Sequence, residues 1–504
     1  MTQKMIEKIL KARVYDVADE TPLEHAPLLS KRLGNHVLLK REDQQPVFSF
    51  KLRGAYNKIF SLTKAQKARG VVTASAGNHA QGVALAGKRL GVSTHIVMPG
   101  TTPPIKVDAV RALGGKAILY GDTYDEAYAH AVSLSKKERM VFIHPFDDLD
   151  VIAGQGTIGM ELLRQHPDDI DVVFIPVGGG GLISGVATYL KYLYPKIKVI
   201  GVEAEDAPSL HDALKAGRRV SLKQVGLFAD GAAVKKVGKE TFRLARKVVD
   251  DVVLVKTDEI CAAIKDIFED TRTMPEPAGA LAVAGMKKFI AAKKQKNKTM
   301  IAIVSGANIN FDRLRHVAER AEVGESREAL MAVTIPEVPG SFLKFCRLLG
   351  RRGITEFNYR YADHRDAQVY AGIKLANGDA DRKEIIKILR AKKYRVKDLT
   401  DNEVAKVHLR FMVGGHAPGI EDEVVVRFQF PERPGALMDF LAAMGQRWNI
   451  SLFHYRNHGA AYGRVLVGVQ VPLKERKAFR QSLDKLGYQY WDETENPACK
   501  IFLG

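Results

Sequence analysis

A lysine becomes a nucleophile only after it loses its proton, and burial among apolar groups is one way to make it do so. The segment FSFKLRGAYN (48–57) sets Lys51 in such a frame, beside Phe48 and Phe50. Three glycine-rich segments elsewhere offer complementary chemistry. PVGGGGLISG (176–185) carries Gly178, Gly179, Gly180 and Gly181 between the apolar run DVVFI and a helical pattern. Backbone N–H groups with no Cβ in the way can wrap a phosphate, and a helix N-terminus adds a favourable dipole. A plain tight turn would need fewer glycines. Glu203, at the end of the next strand, could meet a ribose, but the run fits GxGxxG poorly and lies mid-chain, so a single phosphate monoester suits it better than a dinucleotide. SAGNHAQG (75–82) brings Ser75, Gly77, Asn78 and His79 to another strand-to-helix turn, a setting for a carboxylate or a ring hydroxyl. Ser75 or Asn78 acting only as an N-cap is the alternative there. SGANIN (305–310) ends a buried strand on Ser305, whose hydroxyl needs a partner or serves as a cap. EPAGA (276–280) holds Glu276 between two prolines that fix its backbone.

Lys51 is the one candidate amine nucleophile in this set. A lysine, a phosphate cradle and a polar loop together fit a phosphorylated aldehyde held as a Schiff base, which is pyridoxal phosphate.

These residues need a scaffold that gathers strand ends. Up to about residue 325, β-rich runs (GVVTASAG, STHIVMPG, AILYG, DVVFIPVGGGG, KVIGVEAED, DVVLVKTDE, TMIAIVSGAN) alternate with helical patterns. That alternation predicts α/β architecture with parallel sheets and ligands beyond the carboxyl ends of the strands, where the glycine-rich turns fall. After ERAEVGESREAL (319–330) the texture changes. TIPEVPGSFLKFCRLLGRRGITEFNYR (334–360) has an imperfect copy in QFPERPGALMDFLAAMGQRWNISLFHYR (429–456). Each copy reads as strand–turn–helix–strand–strand–helix–strand, an α+β sandwich with a Pro-Gly turn (Pro339–Gly340, Pro434–Gly435) before its first helix.

In this order and spacing, SFKLRGA, TASAGNHAQGVA, VGGGGL and SGAN resemble the fold-type II (tryptophan synthase β-like) pyridoxal-phosphate enzymes. Within them they look most like the biosynthetic threonine deaminases (threonine ammonia-lyases), to which KREDQQPVFSFKLRGA is particularly close. The resemblance covers nearly the whole chain. It implies that Lys51 bonds the cofactor, that Phe50 packs on the pyridine ring and that Asn78 binds the ring's 3′-oxygen. It also implies that Gly178, Gly179, Gly180, Gly181 and Leu182 bind the phosphate, that Ser305 faces the pyridine nitrogen, and that Ser75, Ala76, Gly77 and His79 hold the substrate carboxylate. A catalytic domain over 1–325 and ACT-like regulatory domains over 330–415 and 420–504 are expected. The implied reaction is the dehydration and deamination of L-threonine, and of L-serine, giving 2-oxobutanoate from threonine as the first step of isoleucine synthesis. A homotetramer inhibited by isoleucine and activated by valine is implied as well. A racemase or catabolic dehydratase of this fold has no use for two C-terminal units, a β-replacement synthase needs a second nucleophilic substrate, and an intact Lys51 argues against an inactive sensor scaffold.

The bulk composition is compatible with this. With 504 residues, 46% hydrophobic and 27% charged, the chain can build large cores and two to four domains. Three scattered cysteines and no CxxC argue for a reducing compartment and against a thiolate metal site. The N-terminus lacks a secretory pattern, and no apolar run reaches the ~18 residues of a membrane span, so a cytoplasmic protein without a membrane partner is expected. The net charge of +19 comes from scattered lysines, with one dense run at KKFIAAKKQKNK (287–298). A solvated surface explains that better than a nucleic-acid patch.

Overall fold

The computed structural model describes residues 2–503 apart from 167–168, 227, 312, 363–364, 408, 413, 432–435, 445–446 and 457–461. The chain forms two compact units, 1–321 and 322–504.

The first unit contains two sheets. The larger has the order Leu23–His25, His36–Arg41, Thr299–Val304, Val172–Pro176, Lys198–Ala204, Asp251–Val255, parallel except for its first strand. The smaller has the order Lys116–Leu119, Thr94–Met98, Val71–Ala74, Val141–Phe142 and is wholly parallel. Val172–Pro176, central in the larger sheet, reads as a continuous apolar run because helices cover both faces; every residue of it and of Val71–Ala74 in the smaller sheet is buried. The carboxyl ends of Val71–Ala74, Val172–Pro176 and Thr299–Val304 lead into the loops singled out by composition.

The helix Lys51–Phe60 packs on Asn78–Leu90 and Leu149–Gln165. Backbones approach closely at Gly154, where a Cβ would lie 2.7 Å from the Arg53 carbonyl oxygen. Two residues beyond Lys51, the Arg53 guanidinium is wholly enclosed. It bonds Glu42 (Nη2–Oε1 2.8 Å, Nε–Oε2 2.8 Å) and Glu161 (Nη1–Oε1 2.5 Å, Nη2–Oε2 3.0 Å), while Lys40 Nζ reaches Glu161 at 2.6 Å. Burial opposes the charge on Arg53, but the Glu42 and Glu161 carboxylates more than offset it and raise its pKa.

The second unit is one antiparallel sheet of eight strands: Arg395–Asp398, Glu328–Pro336, Asp366–Lys374, Ile354–Arg360, Asn449–Arg456, Tyr462–Gln470, Glu423–Pro431, Gln489–Asp492. Each repeat supplies four strands in the expected succession, but the repeats do not close separate sandwiches. They join through Ile354–Arg360 and Asn449–Arg456, with Phe357 opposite Tyr455 and Tyr359 opposite Phe453. Pairing removes two exposed edges, which sequence periodicity alone does not reveal. One core runs through both halves and includes Phe342, Phe357, Phe440 and Phe453. Gly340 takes φ +84° and starts Ser341–Leu349, whereas Pro434–Gly435 lies outside the described residues. Among the described residues no helix is long and apolar enough to cross a membrane, and no cluster of His, Cys, Asp or Glu could hold a metal.

Truncating one partner of the Arg53 cluster leaves buried charge uncompensated. Glu161→Ala is expected to lower stability by about 3–5 kcal/mol, read as a fall in the denaturant midpoint of the full chain.

Candidate active site

Lys51 opens its helix directly from a turn that the sheet end holds in place. Phe48 sits at φ +54°, an unusual conformation for a side chain of its size. The turn is stitched to the SGAN segment by two backbone hydrogen bonds. Ala307 N–H donates to the Phe48 carbonyl (2.8 Å) and Phe50 N–H donates to the Ser305 carbonyl (3.3 Å), which together make an antiparallel bridge between Ser49 and Gly306. Lys51 Nζ is thereby held 5.2 Å from the centroid of the Phe50 ring, and it donates to the Pro145 carbonyl at 3.1 Å. Burial brings its pKa down to about 8, against a smaller opposing pull from the Glu276 carboxylate. The desolvated amine anticipated from the sequence is therefore present.

The SAGNHAQG loop follows Val71–Ala74. Gly77 N–H donates to Ser75 Oγ at 3.3 Å, and the helix Asn78–Leu90 starts with no side-chain cap, so neither Ser75 nor Asn78 caps it. Ala76 packs in a local apolar cluster with Ala80 and Ile96. Asn78 instead donates from Nδ2 to Glu276 Oε1 (2.5 Å), and its Oδ1 accepts from Asn308 Nδ2 (2.7 Å). His79 is buried and uses Nε2 on the Ile143 carbonyl at 3.0 Å. Burial, then the neighbouring Lys51 charge, pushes its pKa down to about 3, so the ring is neutral and Nε2 is the donor. His79 can thus offer a ligand its backbone N–H at the helix start, while its side chain is committed to the scaffold.

The glycine run proves to be four separate constraints. A Cβ on Gly179 would lie 2.1 Å from the Phe146 ring, one on Gly178 2.9 Å from Ala232 Cα, and one on Gly181 3.1 Å from Phe146 Cβ; Gly180 has φ +89°. The Gly179 carbonyl accepts from Thr241 Oγ1 at 2.8 Å and the Gly178 carbonyl from Ser209 Oγ at 3.4 Å. Since Gly181–Leu193 is a helix, the first-turn N–H groups of Gly181 and Leu182 have no intrahelical acceptor. Carbonyls tied back and amides left over are what a bound phosphate requires. Glu203 faces elsewhere: it accepts from the N–H groups of Leu210 and His211, both 2.8 Å, and caps Ser209–Ala216 rather than meeting a ribose.

Ser305 is buried, with Oγ 3.4 Å from the Ala278 carbonyl, so it is a partnered hydroxyl at a strand end rather than a cap. Two groups escaped the sequence reading. The segment HPFDD (144–148) contributes the Pro145 carbonyl to Lys51 and the Phe146 ring to the glycine loop. Its Asp147 accepts from Lys239 N–H and Glu240 N–H, both 2.8 Å, which fixes the helix that carries Thr241. HPFDD follows a strand of the smaller sheet, and that position was its only signal. Asn308, two residues past Gly306, joins Asn78 to the Val47 carbonyl (2.9 Å). Glu276, noted only for its prolines, lies in the same network, its pKa raised to about 7 by burial and then by Asp230. A buried amine, an aromatic ring beside it, an amide-lined wall and a glycine loop with spare N–H groups fit pyridoxal phosphate.

Residues 14–306 match the family described as "Pyridoxal-phosphate dependent enzyme", and residues 319–409 and 414–503 each match "C-terminal regulatory domain of Threonine dehydratase". The L-threonine dehydratase biosynthetic IlvA of Burkholderia multivorans is 56% identical over 501 residues, covering 99% of both chains. Its Escherichia coli counterpart is 55% identical over 498 residues, covering 99% of this chain and 96% of that one. Among solved structures, the processed form of threonine deaminase isoform 2 from Solanum lycopersicum is 53% identical with TM-score 0.63, covering 64% of this chain and 88% of that one. Maize serine racemase is 33% identical with TM-score 0.59, covering 63% and 96%. The chain belongs to the biosynthetic threonine dehydratases, pyridoxal-phosphate-dependent lyases with a C-terminal regulatory region.

Two outcomes follow from this geometry. Because only the neutral amine attacks an aldehyde, capture of pyridoxal phosphate by the cofactor-stripped enzyme should accelerate about tenfold per pH unit below a Lys51 pKa of about 8 and level off above it, as read by stopped-flow absorbance. Gly179→Ala should weaken cofactor binding about 5- to 150-fold, since overpacking against Phe146 costs about 1–3 kcal/mol; an absorbance titration measures it.

Proposed function

We propose that the chain converts L-threonine to 2-oxobutanoate and ammonia, accepts L-serine as a second substrate, and supplies the first step of isoleucine synthesis in the cytoplasm. The observation that carries this reading is the Lys51 amine, its pKa lowered by burial, set among the glycine loop, Asn78 and Ser305. In this reading Lys51 is the catalytic amine. Gly178, Gly179, Gly180, Gly181 and Leu182 would hold the phosphate by backbone N–H, Phe50 would pack on the ring, Asn78 would meet the 3′-oxygen and Ser305 the pyridine nitrogen. Ser75, Ala76, Gly77 and His79 receive the substrate carboxylate at the helix start, with His79 acting through its main chain. Pyridoxal phosphate, when bound, supplies the electron sink that acidifies the substrate Cα–H and labilises the β-hydroxyl.

The protein's own part is then positional and acid–base. The helix N-terminus at Asn78 fixes the carboxylate, which leaves the Cα–H within the domain of Lys51. Neutral Lys51 Nζ takes that proton, a task suited to an amine whose pKa lies near the working pH. A neutral Ser305 hydroxyl, unlike an aspartate, does not enforce a charged pyridine nitrogen, which favours prompt loss of the β-substituent over transamination.

We assign residues 1–325 to catalysis, and 330–415 and 420–504 to ACT-like regulatory domains that bind isoleucine as inhibitor and valine as activator in a homotetramer. Two matched regulatory segments behind a complete catalytic unit support that assignment. Arg360 ties the two halves together: it bonds Glu423 (Nη1–Oε1 2.5 Å) and donates to the Leu503 carbonyl at 2.7 Å.

Lys51→Ala is expected to cut 2-oxobutanoate release from threonine by more than about a hundredfold; turnover within tenfold of the parent overturns the assignment. Isoleucine should lower threonine affinity, and by linkage threonine should lower isoleucine affinity to the same factor. Arg360→Ala should weaken isoleucine inhibition while keeping the rate at saturating threonine, measured in the same assay with and without isoleucine.

A further inference from the structure

Asn78 can serve a ring oxygen only if its amide nitrogen, not its oxygen, faces that way, and an isolated asparagine has no means of choosing. The structure supplies the choice through a closed circuit of hydrogen bonds. Asn78 Nδ2 donates one N–H to Glu276 Oε1 at 2.5 Å. Asn78 Oδ1 accepts from Asn308 Nδ2 at 2.7 Å, and the second N–H of that nitrogen goes to the Val47 carbonyl at 2.9 Å. The Asn308 backbone N–H returns to the Glu276 carboxylate. With both Asn308 amide hydrogens spent, the Asn78 oxygen is pinned, and of the Asn78 donors one N–H remains.

Glu276 is built for this task. It precedes the helix Pro277–Lys293 in an N-cap position, yet its side chain makes no cap. Its backbone N–H donates to the Gly306 carbonyl at 3.0 Å, and Pro275 and Pro277 restrict its main chain. The carboxylate occupies space that glycines leave open: a Cβ on Gly306 would lie 2.7 Å from Oε1, and one on Gly231 3.3 Å.

We infer that Glu276 and Asn308 are positioning residues that lock the Asn78 amide with its remaining N–H available to the cofactor's ring oxygen. This rests on the proposed contact between Asn78 and that oxygen. It assigns the EPAGA and SGAN segments a shared role: one grips the amide nitrogen, the other the amide oxygen.

The test uses the full-length enzyme, stripped of cofactor and titrated with pyridoxal phosphate. Binding strength and the position of the visible absorbance band are both read. Asn78→Ala and Glu276→Ala should each weaken binding about tenfold and move the band, as loss of a hydrogen bond to a charged group does. The double variant should be no more than about threefold weaker than Asn78→Ala alone, because Glu276 acts through Asn78. Glu276→Gln keeps an acceptor in place and should return binding to within about threefold of the parent. If Glu276→Ala does not fold, Asn308→Ala, alone and with Asn78→Ala, asks the same question from the other side. The inference is overturned if losses multiply in the double variant, or if removing Glu276 or Asn308 leaves affinity and band unchanged while Asn78→Ala alters them. Should Asn78→Ala itself change neither, the proposed Asn78 contact falls and this inference with it.

Discussion

The site depends on one constraint: the helix Lys51–Phe60 begins with a half-buried amine whose charge is costly and, two residues later, buries a guanidinium that never loses its charge. The two demands are opposite. Burial makes the Lys51 charge costly, and no carboxylate is placed close enough to restore it fully. Arg53 is tolerated because Glu42 and Glu161 surround it with charge-assisted bonds. Those carboxylates come from the segment after His36–Arg41 and from Leu149–Gln165, so the ion cluster pins the helix to both of these segments. Lys51 is thereby set at the start of an anchored helix rather than in a loop.

What faces the amine comes from parallel topology. Val172–Pro176 and Thr299–Val304 are parallel neighbours in one sheet, so the GGGG and SGAN loops leave on the same side, and the Asn308–Asn78 bond joins SAGN, from the smaller sheet, to SGAN. Once gathered, they restrain one another. The SGAN backbone holds the FSFK turn, Asn308 holds Asn78, and Phe146 forbids a side chain at Gly179.

This explains which features could be read in advance. Lys51, the glycine run and the strand–helix alternation stand out locally, in residue type and immediate neighbours; the alternation forms the parallel sheets, and Lys51 lies beside Phe50 with its charge disfavoured by burial. HPFDD could not be read, because its contributions are a main-chain carbonyl at Pro145, an aromatic wall at Phe146 and a helix cap at Asp147, none of them distinctive by type. His79 is a case where type alone says little: a lone histidine is more often structural, and burial with the Ile143 carbonyl commits the ring to the scaffold. Glu276 was visible as a residue between prolines, yet its partner Asn78 lies 198 positions away, a pairing that only the fold creates.

The regulatory half shows the same limit at a larger scale. A repeat in sequence announces similar units but not how they meet. Here like edges pair, Ile354–Arg360 against Asn449–Arg456, so the strand order of one half mirrors that of the other. The seam is then reinforced by side chains that cross it. Glu337, in the turn of the first copy, accepts from Tyr359 within that copy and from Asn449 of the second at 2.9 Å. Arg360 reaches Glu423, whose carboxylate also accepts from Ser451. These charged and polar groups are largely buried, so separating the halves would leave them unsatisfied as well as expose two sheet edges. Under the proposed regulation, a ligand that shifts either copy must therefore shift both. In that proposal the sheet would act as one element with a common equilibrium, which is the condition for two effectors of opposite sign to oppose each other.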